Sequence, residues 1–295
     1  NEDITIGISM CAIESQMWAE YQSTMHATCD EMGVKYTEVI AENDTQKQNQ
    51  QIENLISSGA DAIVIAPADG EAVVAAIKKC NDAGVPVVMA NRAAGEGAEV
   101  VGTVTSDNEA MVQRELEYIL EKAKEDGTKY KVIKLVGSLT DANAIARDNG
   151  FNAVADANPD VFDVVSEVAT EWKGELALAG ILSAFEENPD VNMIFSPSDA
   201  LLPSIISGLQ QLDKYKKIGE EGHVTLVTFD GAKDAVDAIK EGYVDVVSVQ
   251  DATNQAKLCI EAAVAAVKGE EVDSMTDPGF EVTADNVDEL GFEGY

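Results

Sequence analysis

Apolar residues along this chain fall into short continuous runs of strand length, separated by longer stretches in which apolar positions recur every three or four residues. The runs lie at 4–9, 35–41, 62–66, 86–90, 99–104, 131–137, 163–169, 193–196, 225–229 and 244–249, and each predicts a strand. Helical periodicity fills the gaps, among them 16–32, 46–58, 70–83, 107–125, 174–188, 199–212, 231–241 and 252–268. Regular alternation with short connections predicts an α/β fold, a parallel sheet covered by helices on both faces. Ten such strands exceed one compact domain of ordinary size, so two lobes are expected, each a doubly wound parallel sheet.

The two halves share a plan. GADAIVIAPAD at 59–69 and NPDVNMIFSPSDA at 188–200 each run from a strand through a Pro to an Asp that opens a helix. GVPVVMANRAAG at 84–95 and HVTLVTFDGAKD at 223–234 each end a strand in polar residues. Open α/β sheets bind ligands beyond the carboxyl ends of their strands. Two sheets of this kind predict a ligand site lined by strand-end polar residues from both lobes.

Composition narrows the function. The 295 residues carry 54 Asp plus Glu against 20 Lys plus Arg, a formal net charge of −34. Phosphate-backbone binding needs a basic footprint, and docking on anionic lipid needs basic clusters, so both partners are excluded. No run approaches the ~20 apolar residues of a membrane-spanning helix. The chain opens at Asn1, so a signal peptide or lipid-anchored cysteine would lie upstream. Cys11, Cys29, Cys80 and Cys259 lack CxxC spacing and do not cluster with His26 or His223, which predicts buried free thiols and no metal site. Arg and Trp are scarce: Arg92, Arg114 and Arg147, with Trp18 and Trp172.

Several stretches, in order, carry a family resemblance: TIGISM (5–10), NDTQKQNQQIENLISSGADAIVIAP (43–67), VPVVMANR (85–92), TSDN (105–108), IARDNGF (145–151), TFDG (228–231) and QDATNQAK (250–257). Over nearly its whole length the chain resembles the type 1 periplasmic binding proteins, in particular the ribose-binding and glucose/galactose-binding branches. The resemblance implies two lobes joined by three crossings near 105–108, 250–253 and 280–284. That places 1–106 with 251–281 in one lobe and 107–250 with 282–295 in the other. It implies a solute-binding protein that takes a monosaccharide or polyol between its lobes by hinge closure and delivers it to an ABC transporter permease. A chemoreceptor or sensor kinase would be a further partner. The protein would work outside the cytoplasm, in the periplasm or lipid-anchored at the cell surface, as a monomer without cofactor, metal or catalytic activity.

Position by position, the resemblance assigns ligand contacts to Ser15, Met17 and Trp18 after the first strand and to Asn91 and Arg92 after the fourth. It assigns others to Asn143, Arg147, Trp172, Ser198, Asp230 and Gln250. Met17 stands where the family places an aromatic, Ser198 where it places an amide, and Ala66 where the ribose branch has Asn. The calcium loop of the galactose branch is missing, since 125–132 reads EDGTKYKV without alternating oxygen ligands. Chemically the set suits a sugar: planar bidentate groups match adjacent hydroxyls, and aromatic faces match the C–H side of a ring.

Other assignments for these residues are a structural Arg92–Asp230 pair, a local Arg147–Asp148 pair, and Trp172 and Met17 as core. Cys11 reads as a wall residue. The remaining function classes are a receptor for a furanosyl signal or nucleoside on the same fold, a repressor effector domain and an enzyme. The repressor would need a basic helix-turn-helix before the first strand. An enzyme would need a GxGxxG, P-loop, GxSxG or converging nucleophile set, and none is present.

Overall fold

The computed structural model describes residues 4–295, and within them the chain divides into two compact units. The first comprises 4–106, 140–142 and 251–277, and the second 107–139, 143–250 and 278–295.

The first unit is built on β1 (Thr5–Met10), β2 (Lys35–Ile40), β3 (Ala62–Ile65), β4 (Val87–Asn91) and β5 (Gly102–Ser106), with β11 (Met275–Asp277) at one edge. All six strands are parallel, in the order β11-β5-β4-β3-β1-β2. Every residue of β3 and β4 is buried, as an unbroken apolar run requires when helices cover both faces. Edge strand β2 is exposed over its first half. Helices α1 (Gln16–Met32), α2 (Thr45–Ser57), α3 (Val74–Asp82) and α9 (Ala252–Val267) flank this sheet. Ile52, Leu55, Ile63, Ile65, Ile77 and Met89 form the core on the α2–α3 side.

The second unit holds β6 (Tyr130–Val136), β7 (Phe162–Ala169), β8 (Met193–Phe195), β9 (Thr225–Asp230) and β10 (Val246–Val249), with β12 (Phe280–Thr283) at the edge. The order is β12-β10-β9-β8-β6-β7, with only β12 antiparallel to its neighbour. Its helices are α4 (Asn108–Asp126), α5 (Ala142–Ala155), α6 (Gly174–Glu187), α7 (Leu202–Gln211), α8 (Lys233–Lys240) and the short α10 (Val287–Leu290). The period-2 pattern splits the core in two: Leu226 lies with Ile181 and Ile205, whereas Val227 and Phe229 lie with Leu116 and Phe151.

Helix starts follow local chemistry. Ser15, Asp44, Asp107 and Asp251 each accept a backbone N–H at the start of α1, α2, α4 and α9. Gly33 and Gly127 end α1 and α4 in the left-handed conformation.

Four features differ from the sequence expectation. The expected helix 199–212 splits into a 3-10 turn, Asp199–Leu201, and α7. The helix expected from 70 begins at Val74. Strands β11 and β12 were not expected, since MTD and FEVT are neither apolar runs nor long enough to show alternation; each pairs with the edge a neighbouring strand offers. For the same reason the chain passes from the first unit to the second at 277/278, where the sequence placed the step at 281/282.

Candidate functional site

In the first unit the polar residues gather where β1, β3 and β4 end. Ser15 lies in the loop after β1, and its hydroxyl accepts the Trp18 N–H at 3.2 Å, fixing the first turn of α1. Met17 and Trp18 in that turn are 5% and 6% exposed. Trp18 lies against Tyr21 with ring centroids 5.5 Å apart, and the Arg92 guanidinium stands 5.4 Å from the Trp18 ring centroid. One Arg92 Nη1 donates to the Pro67 carbonyl at 3.1 Å and lies 3.6 Å from Cys11 Sγ. Arg92 Nη2 is 2.9 Å from the buried Asp141 carboxylate, a residue grouped with this unit. Burial pushes the Cys11 thiol up although Arg92 opposes it, so this cysteine is a wall and not a nucleophile.

Asn91, at the end of β4, joins a separate network. Its amide donates to Gln255 Oε1 at 3.3 Å, which also accepts the Tyr21 hydroxyl at 3.2 Å. Gln255 Nε2 donates to Ser106 Oγ at 2.7 Å and Asp277 Oδ2 at 3.1 Å, and Asp277 Oδ2 accepts the Asp251 N–H at 2.7 Å. Ser106, Asp251 and Asp277 mark three of the places where the chain leaves or enters the first unit. One buried glutamine thus ties these three segments together.

The second unit's cluster is centred on the Asp230 carboxylate at the end of β9, 4% exposed. Gln250 Nε2 donates to Oδ1 and Ser198 Oγ to Oδ2, both at 2.6 Å. Arg147 Nη1 lies 3.4 Å from Oδ1 and donates to the Pro197 carbonyl at 2.7 Å. Arg147 Nε donates to Asn108 Oδ1 at 2.8 Å, and Asn108 donates to Asn143 Oδ1 at 3.1 Å. The Arg147 guanidinium also stacks 3.8 Å over the Phe229 ring. Asn143, Arg147, Ser198, Asp230 and Gln250 therefore form one bonded group. Trp172, half-buried, packs its indole so closely over Gly137 that no Cβ fits there. Its Nε1 is buried without a hydrogen-bond partner among the described residues, a deficit of about 1–3 kcal/mol.

The ion pairs differ from the alternatives read in the sequence. Arg92 pairs with Asp141 instead of Asp230, Arg147 with Asp230, and Asp148 with Lys134. Seven non-glycine residues among those described have positive φ, and three are Asn91 (63°), Trp172 (60°) and Asp230 (119°). Asn tolerates this region, whereas Trp172 and Asp230 cost roughly 1–3 kcal/mol each. Strain therefore sits on residues already named as candidate contacts. Asn108, Asp141 and Gln255 were not named, although Asn108 and Gln255 fall inside the TSDN and QDATNQAK stretches. Their partners Asn143, Arg92 and Ser106 lie 35, 49 and 149 residues away, which leaves no local signal.

Comparison with known proteins agrees with this architecture. A family model described as the periplasmic binding protein domain matches residues 6–271. The ribose import binding protein RbsB of Bacillus subtilis is 28% identical, covering 92% of this chain and 84% of that protein. A xylitol-binding protein of Mycolicibacterium smegmatis is 29% identical, covering 84% of this chain and 68% of that one. Among solved structures, an ABC transporter solute-binding protein from Mycobacterium smegmatis with bound glycerol superimposes with a TM-score of 0.88 at 23% identity, covering 97% and 96% of the two chains.

Proposed function

The chain belongs to the periplasmic binding protein domain family, and from that premise we propose that it captures a small neutral polyhydroxylated solute, a monosaccharide or polyol, for an ABC transporter permease. The family and these relatives are binding proteins, and the chain is one rather than an enzyme. It works outside the cytoplasm. A lipid anchor and a chemoreceptor or sensor-kinase partner belong to the proposal.

The observation that carries the ligand class is charge balance. Each cluster sets one guanidinium against one carboxylate: Arg92 with Asp141 in the first unit, Arg147 with Asp230 in the second. An anionic ligand would have to displace a buried carboxylate to gain either arginine, whereas neutral hydroxyls can join both groups as donors and acceptors. The strained Trp172 supplies an apolar ring and an N–H in need of an acceptor. In this reading Ser15, Met17, Trp18, Asn91 and Arg92 serve from the first unit, and Asn143, Arg147, Trp172, Ser198, Asp230 and Gln250 from the second.

A thermal-shift panel of monosaccharides, polyols, sugar acids and nucleosides tests the class. A neutral ligand at a hundred times its Kd stabilises the protein by about 2.7 kcal/mol. Stabilisation by a sugar acid or nucleoside, with every neutral sugar and polyol silent, overturns the reading.

A further inference from the structure

Asp199 is buried in the second unit and follows Ser198, which donates to the Asp230 side chain. Its own carboxyl group serves the backbone of the same turn. Oδ2 accepts the N–H groups of Gly231 and Ala232, both at 2.8 Å, and Oδ1 meets the Thr228 hydroxyl at 2.7 Å. These three bonds bracket Asp230, whose φ of 119° and the following Gly231 φ of 97° put two consecutive residues in territory that favours glycine. A side chain at Gly231 would also meet Val249 Cγ1 at 2.8 Å, so the bend is cramped as well as strained.

We propose that Asp199 is a positioning residue of the ligand site, holding the Asp230–Gly231–Ala232 turn in the one conformation that presents the Asp230 carboxylate. This rests on the reading above that Asp230 bonds the ligand. Both Asp199 oxygens are engaged with the turn and its strand, so it acts through Asp230 and not as a further contact. The turn is braced from its other side by Tyr295. The Tyr295 N–H donates to the Gly231 carbonyl at 3.0 Å, the Tyr295 carbonyl accepts from Lys233 N–H at 3.1 Å, and the Tyr295 hydroxyl donates to the Gln250 carbonyl. Two braces on a strained bend are what its persistence requires.

The arrangement also has a titration signature. Burial, with the nearby Asp230 charge adding to it, pushes Asp199 up to about 8 despite its three hydrogen bonds. The charged and titratable groups facing it are Asp230 on β9, Glu115 on α4 and, through Asp230, Arg147 on α5. The shift favours the acid form of Asp199. An asparagine can reproduce all three contacts, its oxygen taking both N–H groups and its amide meeting Thr228.

Two measurements on the full chain test the assignment. In the first, which needs no ligand, amide hydrogen exchange is compared for the unaltered chain, Asp199→Ala and Asp199→Asn. Asp199→Ala should speed exchange at Gly231 and Ala232 by tenfold or more while the amides of Ile63 and Val64 in the first sheet stay unchanged. Asp199→Asn should stay within about threefold of the unaltered chain. Unchanged protection at Gly231 and Ala232 in Asp199→Ala, or lost protection in Asp199→Asn, overturns the proposal, and Asp199→Asn alone decides it should the alanine variant not fold. In the second, calorimetry uses the panel compound that stabilises the unaltered chain. Affinity should fall as pH rises from 7 to 9 in the unaltered chain, and be flat in Asp199→Asn with its pH 7 value kept within about threefold. A tenfold loss at pH 7 in Asp199→Asn, or a decline that persists in it, overturns the assignment. A panel without any neutral ligand sinks the proposed function instead and leaves hydrogen exchange to decide on Asp199.

Discussion

Replacing Arg147 with Met isolates the electrostatics at the centre of the second cluster. Met keeps much of the side-chain bulk over Phe229 and removes the guanidinium. The change strands the Asp230 carboxylate, 5% exposed at its side chain, without its cation, and takes the donor from Asn108 Oδ1 and the Pro197 carbonyl. Removing one partner of a buried ion pair costs about 3–5 kcal/mol, because the remaining charge stays desolvated. For a unit of this size each kcal/mol lowers the melting temperature by about 2–4 °C, so a fall of about 6–20 °C is expected. The informative comparison is the double variant Arg147→Met with Asp230→Asn. Neutralising Asp230 removes the stranded charge while an amide still meets Gln250 and Ser198, so the pair should couple by about 1–3 kcal/mol. Urea unfolding of the ligand-free chain, monitored by circular dichroism, measures all three. If the two single losses simply add in the double variant, the buried pair is not an electrostatic unit and the reasoning fails.

Three other perturbations have defined outcomes. Gln255→Leu removes the hub that joins Ser106, Asp277, Asn91 and Tyr21, and leaving several buried partners unsatisfied should cost about 2–4 kcal/mol in urea unfolding; a loss below about 0.5 kcal/mol would show the network to be redundant. Stability should decline as pH rises. Asp199 is raised from 3.8 to about 8, and burial raises Glu115, so the folded chain holds protons the unfolded chain has released. His223 adds the same sign: burial opposes its charge, but the Asp245 hydrogen bond raises it overall, giving stability present below 6.5 and lost above. Between pH 5 and 8 the Asp199 contribution falls by up to about 1.4 kcal/mol per unit, and denaturation curves that strengthen with pH would contradict it. The four cysteines are buried free thiols, and burial pushes Cys29 and Cys259 up to about 12 and Cys80 to about 11, so a thiol reagent at pH 8 should label none until denaturant is added.

Legibility in the sequence followed the range over which each feature is decided. Runs such as AIVIA at 62–66 announced β3 because a strand buried on both faces must be apolar throughout. Helix α5 has no clean apolar stripe for the opposite reason: it buries Asn143 and Arg147 among its apolar residues, so only the resemblance, and not periodicity, pointed to it. The candidate residues Asn91 and Asp230 stood out as polar groups ending apolar strands, and both carry positive φ. Asp141 and Gln255 did not stand out, and Asp199 stood out only as the Asp that opens a helix, since an acid or amide in a helix or loop reads as a solvated surface residue until its partner is known.

What the sequence by itself determined is therefore the α/β alternation, the two-unit division in outline, and the strand ends on which polar chemistry collects, because periodicity and burial are local properties of the chain. Which arginine meets which carboxylate was decided only by tertiary structure. Arg92 took Asp141, Arg147 took Asp230, and a carboxyl at Asp199 gripped a backbone turn. Those choices depend on sheet order, which brings strand ends distant in sequence side by side. A charge in a sequence has a sign but no partner; the partner is supplied by the desolvated geometry of the fold.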